Sequence, residues 1–257
     1  MSTTVDQVAL LARRSLIRTA RQPGTWIPPL TFPLMLMAVN SNGLRAATHL
    51  PGFPTKSFLA FALAVPFIQG ALFATMNAGT DLARDVESGF MSRLSLTPLR
   101  GAALLAGQLG GVVVLGVIQA AFYILVGLAA GVRPAAGVLG VLLLLVFSAF
   151  IALAFGAVGA WAALKTGSSE AVQSLFPVFF VFLFISSMNI PRNLMATQWF
   201  RYAATANPVS YLLECVRSLV IKGWDGQAIG LGFGIVALVA TVALTLASTT
   251  LRRRLVR

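Results

Sequence analysis

Six long apolar runs follow one another along the chain, and each is free of Asp, Glu, Lys and Arg through its middle. They lie at about residues 24–44, 57–80, 101–131, 135–164, 171–189 and 226–250. A helix needs roughly 20 apolar residues to cross a hydrocarbon core of about 30 Å. Each run is long enough, so the pattern predicts an all-α integral membrane protein with six transmembrane helices in one domain, residues 1–257.

Two stretches break the regular pattern. Pro23 precedes the first run and Pro28, Pro29 and Pro33 lie inside it, and a proline inside a helix removes a backbone hydrogen bond and kinks the helix. The freed carbonyls then need partners from neighbouring helices. Residues 190–225 are too apolar for an ordinary loop but are broken by Pro191, Asn207, Pro208 and Gly223. We interpret this external segment as short re-entrant helices that enter the membrane and return before the last run.

The N-terminal residues 1–22 follow a helical pattern. Apolar residues recur at helical spacing among charged ones: Val5, Val8, Ala9, Ala12 and Leu16. The stretch lacks the order of basic region, apolar core and cleavage site that defines a signal peptide. The pattern therefore predicts an amphipathic helix that lies in the membrane interface, with a disordered basic tail as the alternative.

Composition agrees with a membrane location. The chain has 58% hydrophobic residues, 10% charged residues and a mean hydropathy of +0.86, whereas soluble domains carry about 25% charged residues. Its net charge of +12 comes from basic blocks that flank apolar runs, without the interleaved aromatic residues of a nucleic-acid surface. We therefore expect anionic membrane lipids as partners and no nucleic acid.

The basic residues also predict the orientation, because Lys and Arg are retained on the cytoplasmic side of a membrane. With six spans, both termini share one side with residues 81–100 and Lys165, and that side holds twelve of the 19 basic residues. Both termini are therefore expected in the cytoplasm. The preference for Arg over Lys and the abundance of Ala and Gly are typical of a GC-rich bacterial genome, which points to a bacterial plasma (inner) membrane.

The stretch DLARDVESGFMSRLSLTPL, residues 81–99, concentrates the scarce negative charge. It contains Asp81, Asp85 and Glu87, three of only seven acidic residues. Apolar residues recur there at every third or fourth position, which predicts a cytoplasmic helix over 81–96 that the following proline ends. Such a helix is suited to receive force from a soluble motor, and a solvated connection between two spans is the alternative.

Catalytic chemistry is not indicated. The acids form no cluster at metal-ligand spacing with the single His49 or the single Cys215, so we predict no catalytic, metal or cofactor residues. The sequence GAWAALKT, residues 159–166, has Leu164 in place of the second glycine of a phosphate-binding loop. The charge-free spans disfavour a secondary carrier. That carrier and a membrane-embedded enzyme of lipid or cell-wall synthesis, using the acids at 81–87, stay open as alternatives.

Two motifs carry a resemblance to a known family. The first is Asp85-V-E-S-Gly89-F-M-S-Arg93-L-S-L-T-Pro98, and the second is Asn207-Pro208-Val209-Ser210 followed by Arg217 and Gly223. Their order and the six-span pattern resemble the type-2 ABC exporter permeases, in particular the daunorubicin-resistance permease branch. The resemblance covers essentially the whole chain. The segment 186–195 is shorter than the external connection expected in that branch.

The resemblance implies a fold and a set of partners. Members are all-helical permeases with an interfacial N-terminal helix, a cytoplasmic coupling helix between the second and third spans, and re-entrant helices before the sixth. They work as dimers of permeases, here a homodimer or a heterodimer, bound to two cytoplasmic ABC ATPase subunits, and they export drugs, lipids or polysaccharides. ATP and Mg would bind the ATPase, so this chain is expected to be a transporter subunit without a cofactor of its own.

The resemblance also assigns roles to residues. Contact with the ATPase subunit would involve Asp85, Glu87, Gly89, Arg93 and Pro98. The re-entrant or gate motif would comprise Asn207, Pro208, Ser210, Arg217 and Gly223.

A translocation path between two such subunits would have mainly apolar and aromatic walls, which suit amphipathic cargo. The candidate residues are Phe67, Gln69, Phe73, Asn77, Phe176, Phe179, Phe180 and Phe184. Small residues four apart allow helices to approach closely, and such ridges occur at Gly107 and Gly111, at Gly127 and Gly131, and at Gly226, Gly230 and Gly234.

Overall fold

The computed structural model describes residues 21–89 and 101–255, together with Ala12 and Ile17, and every regular element in that part of the chain is helical. The α-helices are α1 (Pro23–Gly43), α2 (Phe58–Ala62), α3 (Ala64–Glu87), α4 (Gly101–Ala129), α5 (Gly137–Thr166), α6 (Ser169–Gln173), α7 (Leu175–Phe184), α8 (Gln198–Ala206), α9 (Pro208–Arg217) and α10 (Gly226–Leu255). Short 3-10 turns cover Arg45–His49 and Arg192–Leu194, and a π-helical turn, Ser218–Lys222, continues α9. The all-α prediction is confirmed for these residues, and the predicted interfacial helix falls almost wholly outside them.

Within the described residues, four helices are long and apolar enough to cross a membrane. They are Phe58–Glu87, Leu104–Ala129, Gly137–Thr166 and Gly226–Arg254, and they correspond to the second, third, fourth and sixth predicted runs. Their outward faces carry large apolar side chains such as Leu125, Val146 and Leu238, which are 63%, 48% and 64% exposed. An extensive exposed apolar surface marks contact with a membrane or a partner. The chain is therefore a multi-pass membrane protein.

The first and fifth predicted runs are less regular. The first forms α1, a helix of 21 residues with three prolines inside it. The fifth is divided between α6 and α7, and α7 has ten residues. A helix of that length spans about 15 Å, or roughly half of a hydrocarbon core. The chain then turns at Ile185 and Ser186 towards the segment that holds α8 and α9.

The prolines of α1 are accommodated by a neighbouring helix. Pro33 has no N–H to bond the carbonyl oxygen of Pro29 four residues earlier. The hydroxyl of Tyr123, from α4, donates to that carbonyl instead. Tyr123 is buried, so its hydroxyl also needs this acceptor. The prediction that neighbours satisfy the carbonyls freed by proline is confirmed at this position.

The centre of the bundle is the crossing of α3 and α5. The hydroxyl of Thr75 donates to the carbonyl oxygen of Phe155 at 2.9 Å. A Cβ atom added to Gly159 would lie 2.0 Å from the carbonyl oxygen of Thr75, and one added to Gly79 would lie 2.8 Å from the carbonyl oxygen of Gly159. Only glycine permits so close an approach of two helices at these positions.

Most of the ridge glycines named from the sequence do not contact a neighbouring helix. A Cβ atom added to Gly226, Gly230 or Gly234 would meet nothing within 4 Å, and the same holds for Gly131. Gly127 does lie against a neighbour, because its added Cβ would be 2.8 Å from the side chain of Leu63. A spacing of four between small residues therefore does not by itself identify where a helix touches a neighbour.

The polar stretch that starts at residue 81 begins as the last two turns of α3. That helix ends at Glu87, and Gly89 adopts a φ of 68°, a conformation that stops further helical growth. The prediction of one continuous helix over 81–96 is therefore corrected, because its first seven residues extend α3 and the backbone leaves the helix at Ser88. Residues 90–100 lie outside the described part of the chain.

Candidate functional site

The second motif joins α9 to the turn that follows α7. The side-chain oxygen of Asn207 caps the N-terminus of α9, and its amide nitrogen donates to the carbonyl oxygen of Phe182 at 2.5 Å. Pro208 occupies the first turn, where a missing N–H leaves no helical hydrogen bond unmade. The hydroxyl of Ser210 accepts the backbone N–H of Ser187 at 3.1 Å. Two side chains near the start of α9 thus hold the end of α7 in place.

Arg217 completes this contact from the last turn of α9. Its guanidinium donates to the carbonyl oxygens of Phe61, Ser187 and Met188 at 3.1, 2.6 and 2.6 Å. The guanidinium carbon lies 3.5 Å from the centroid of the Phe61 ring, and the residue is only 6% exposed. An unpaired buried carbonyl costs about 1–3 kcal/mol, so one side chain stabilises two irregular segments. We call Asn207, Ser210 and Arg217 the α9 clamp.

Gly223 ends the second motif. Its φ is 101°, and its N–H donates to the carbonyl oxygen of Ser218 at 2.7 Å, which closes the π-helical turn. Backbone N–H groups of the α4–α5 connection, at Ala135 and Ala136, donate at 3.0 Å to carbonyl oxygens of the same turn. The motif therefore ends in an irregular turn whose carbonyls are satisfied by another loop.

An ion pair joins the 190–195 segment to α9. The guanidinium of Arg192 donates to both carboxylate oxygens of Glu214 at 2.7 and 2.5 Å, and it lies 4.5 Å from the centroid of the Tyr211 ring. Burial lowers the pKa of the Arg192 guanidinium, but the hydrogen bond and negative charge of Glu214 outweigh that effect and hold the pKa above its ordinary value. The pair links two segments that are separate in sequence.

A cavity of about 550 Å³ opens beside the α9 clamp, and Arg217, Arg192 and Glu214 contribute to its wall. Lys222 and Asp225 also line it, with their charged atoms 3.8 Å apart. Leu231, from the first turns of α10, contributes an apolar side. We call this space the Arg217 cavity.

A second cavity, of about 470 Å³, lies between α1, α3 and α7. Its wall is apolar towards the middle of α3, where Phe73 faces Phe176 with the ring centroids 5.9 Å apart. Towards the Glu87 end of α3 the wall becomes polar, with Asp81, Arg84 and Gln173. We call this space the aromatic cavity, and its wall has an aromatic half and a polar half.

Five of the predicted path residues are associated with the aromatic cavity. Phe73, Asn77 and Phe176 line it. Phe180 lies 4.9 Å from Phe176, and Phe184 lies 5.6 Å from Phe180, between ring centroids. The phenylalanines of α7 therefore continue the aromatic wall along one side of the helix.

The other three path residues lie elsewhere. Phe67 packs against Tyr123 with ring centroids 6.0 Å apart, and Phe179 packs against Phe155 at 5.7 Å. Gln69 is fully buried in α3, and neither atom of its amide has a hydrogen-bond partner among the described residues. The role of all eight residues in transport stays a prediction.

The first motif is described only up to Gly89. Asp85 is buried, and its carboxylate accepts a hydrogen bond from the side-chain amide of Gln108, in α4, at 2.8 Å. Glu87 is exposed, and its carboxylate accepts the N–H and the hydroxyl of Ser169 at 2.8 and 3.0 Å. Arg93 and Pro98 lie outside the described residues. Of the described contact residues, Glu87 is therefore the side chain at the surface, where α3 meets α6.

Comparison with known proteins bears on the same motifs. Residues 6–221 match the family described as ABC-2 type transporter. The chain belongs to this family. The matched range contains the first motif and the second motif as far as Arg217, so the family resemblance read from these residues is confirmed.

Curated relatives of this ABC-2 type transporter family member carry permease names. The Daunorubicin resistance ABC transporter permease protein DrrB1 of Streptomyces coeruleorubidus is 30% identical over 227 residues, which cover 85% of this chain and 76% of the relative. The Probable doxorubicin resistance ABC transporter permease protein DrrC of Mycobacterium tuberculosis is 24% identical over 224 residues, which cover 85% of this chain and 78% of the relative. The Putative transport permease ycf38 of Cyanophora paradoxa is 24% identical over 217 residues, which cover 84% of this chain and 74% of the relative.

Sequence reasoning missed several polar residues that organise these sites. Tyr123 and Gln108 lie in an apolar run, where a polar side chain signals an interhelical partner, and that signal could have singled them out. The Arg192–Glu214 pair gave no comparable signal, because 22 residues of irregular sequence separate its members. In the part of the chain that the structure describes, no three His, Cys, Asp or Glu side chains lie close enough to share a metal ion.

Proposed function

We propose that this member of the ABC-2 type transporter family is the membrane-spanning permease subunit of an ATP-driven exporter. The observation that carries the proposal is the family match over residues 6–221, together with relatives that are named as drug-resistance permeases. A separate cytoplasmic ABC ATPase would bind ATP and Mg and supply the energy. The permease would act as a dimer and move a drug, a lipid or another amphipathic molecule out of the cytoplasm.

The proposal includes a six-span topology in a bacterial plasma membrane with both termini in the cytoplasm. The four long apolar helices support the proposal and would be the second, third, fourth and sixth spans. The proline-containing α1 would be the first span, and α6 with α7 would form the fifth. The α8–α9 segment would then lie on the external side as re-entrant helices. The basic last turn of α10, with Arg252, Arg253 and Arg254, supports a cytoplasmic C-terminus.

The ATPase would dock where α3 meets α6. Glu87 is exposed there, and its bonds to Ser169 hold the carboxylate in one position. A fixed carboxylate can make charge-assisted hydrogen bonds to a cationic partner. Gly167 lies beside the guanidinium of Arg254, at the same end of the bundle. Asp85, by contrast, is bound to Gln108 within the chain, so we expect it to support the end of α3 and not to touch the ATPase.

Co-purification of the ATPase tests this proposal. The tagged permease is expressed in its native cells, solubilised in detergent and isolated, and the ATPase activity of the recovered complex is measured. We expect Glu87→Arg to lose the ATPase subunit, because it places a cation where an acid is needed. Asp225→Arg makes the same charge change at the opposite end of α10 and should retain the subunit. Retention by both variants would contradict docking at Glu87, and recovery of wild-type permease without any ATPase would contradict the exporter itself.

The aromatic cavity is the proposed cargo site, because its aromatic half and its polar half match an amphipathic molecule. Phe176→Ala removes a ring that forms part of the wall, whereas Phe182→Ala removes a ring on the same helix that is 47% exposed. The probe is daunorubicin, the drug in the name of the Streptomyces relative, measured as drug retained by cells. We expect retention to rise with Phe176→Ala and to be unchanged with Phe182→Ala at equal permease levels. Equal effects of both variants would remove the cavity from the transport path.

The alternative of a membrane-embedded enzyme loses support from the same geometry. That reading needs the acids of residues 81–87 to act together on one metal or substrate. The carboxylate of Asp85 is directed to Gln108 of α4, whereas that of Glu87 is directed to Ser169 of α6. The two acids therefore serve different contacts.

A further inference from the structure

Arg217 is a buried cation whose hydrogen-bond partners are neutral. Three of its five N–H groups donate to backbone carbonyls, which leaves two N–H groups on a residue that lines the Arg217 cavity. The nearest acid along α9 is Glu214, and both of its carboxylate oxygens are bound by Arg192. Glu214 therefore acts on the Arg217 charge only through space, and a buried charge without a directly bound counter-charge is costly. The guanidinium therefore favours an anion in the cavity.

The charges around the cavity point to the same ligand class. Arg192, Arg217 and Lys222 contribute three positive charges, and Glu214 and Asp225 contribute two negative charges, so the wall has a net positive charge. Lys222 is loosely held, because its ammonium is 3.8 Å from Asp225 and its side chain is 63% exposed. An exposed ion pair of that kind contributes little to stability, so the ammonium of Lys222 can reorient towards a bound anion.

The cavity is continuous with a surface suited to lipid. Leu231 belongs to its wall and is 44% exposed, and Leu238, two turns further along α10, is 64% exposed. Residues seven apart lie on the same face of a helix. Acyl chains could therefore follow this face of α10 while a charged headgroup lies against Lys222 and Arg217. The volume of about 550 Å³ is within the range of small-molecule sites, about 300–1,000 Å³.

We propose that the Arg217 cavity binds a phosphate-type anion and that the phosphodiester headgroup of an anionic phospholipid is its occupant. Arg217 and Lys222 would donate to the phosphodiester oxygens, and the apolar side at Leu231 would receive the start of the acyl chains. The site requires only a membrane and does not depend on the ATPase or on export. Its success or failure is therefore separate from that of the proposed function.

Ligand-dependent thermal stability of the purified chain in detergent tests the site, because a ligand that binds only the folded state raises the unfolding temperature in a saturable way. The probes are dioctanoyl phosphatidylglycerol, which is anionic, and dioctanoyl phosphatidylcholine, which has the same chains and no net charge. We expect saturable stabilisation by the first and little by the second. Equal stabilisation by both lipids, or no saturation, would overturn the proposal.

Three charge variants distinguish the cavity from general surface electrostatics. Lys222→Gln should raise the half-saturating concentration of phosphatidylglycerol by about two- to fivefold, the range of an exposed charge interaction. Glu214→Gln removes a negative charge from the wall and should lower that concentration. Arg133→Gln, an exposed cation in the α4–α5 connection at the same end of the bundle, should leave it unchanged. Equal effects of Lys222→Gln and Arg133→Gln would overturn the site.

A final titration distinguishes a lipid headgroup from a free phosphate as the bound anion. Inorganic phosphate and glycerol phosphate are titrated in place of the lipid, with the same variants. We expect neither to saturate at concentrations where the lipid does, because they lack the acyl chains that Leu231 would contact. Saturation by inorganic phosphate with the same order of variants would support the anion site but overturn the lipid as its occupant.

Discussion

The α9 clamp and the α3–α5 crossing hold helices together in opposite ways. In the clamp, Asn207 donates to a carbonyl in the last turn of α7, and Arg217 donates to carbonyls of the following turn and of the end of α2. At the crossing, Gly159 and Gly79 have no side chains, so the backbones of α3 and α5 lie against each other. One contact depends on hydrogen-bond donors and the other on the absence of atoms.

The difference follows from the regularity of the backbone. Inside a regular helix every carbonyl is already bonded, so two helices in a membrane gain most by approaching closely. Where a helix breaks, as at Phe61 and after Phe184, carbonyls lose their helical partners and need donors from elsewhere. The clamp is therefore found at the irregular end of the bundle and the glycine crossing at its regular centre.

The largest expected effect comes from breaking the clamp with Arg217→Leu. Three buried carbonyls lose their donor, which we expect to cost about 3 kcal/mol or more in unfolding free energy. The unfolding temperature of the purified protein in detergent measures the loss. Arg201→Leu, at an exposed position of α8, is the control and should stay within about 0.5 kcal/mol of wild type. A clamp that contributes nothing would leave the two variants equally stable.

The crossing is tested by Gly159→Ala and Gly234→Ala, which make the same change at a contacted and an open position. The added methyl at Gly159 would meet the Thr75 carbonyl, and overpacking of this kind costs about 1–3 kcal/mol. At Gly234 nothing lies within 4 Å, so the better helix propensity of alanine should give no loss or a gain of up to about 1 kcal/mol. The unfolding temperature should fall with Gly159→Ala and stay the same or rise with Gly234→Ala. An unchanged unfolding temperature with Gly159→Ala would contradict the close approach.

The smallest effect should come from Arg192→Lys, which tests a second polar contact of α9, the pair of Arg192 with Glu214. Lysine keeps the charge but cannot bind both carboxylate oxygens of Glu214 or stack on Tyr211 in the same way. The two side chains are 23% and 29% exposed, and we expect a loss of about 1 kcal/mol. The loss should shrink in high salt, because salt screens partly exposed pairs. A loss that is independent of salt would assign the effect to the ring contact and not to the charges.

The candidate sites were predictable to different degrees. The second motif was recognised from Asn207, Pro208, Ser210 and Arg217, and three of these residues, Asn207, Ser210 and Arg217, do act on one place, the end of α7 and the turn after it. The first motif was extended into a single helix past Gly89, where a positive φ ends α3. Residues that cap or break helices can be recognised from the local sequence. The hydrogen bond between Gln108 and the carboxylate of Asp85 could not be predicted in this way.

The sequence by itself determined the membrane location, the runs that become long helices and the family, because hydropathy over 20 residues and motif spacing are local properties. Only the tertiary structure decided which glycines touch a neighbour and which polar side chains meet. The partners are far apart in the chain, as with Arg217 and Phe61, which are 156 residues apart. A buried carbonyl can accept a hydrogen bond from any donor that lies close to it. The packing of the helices decides which donors those are.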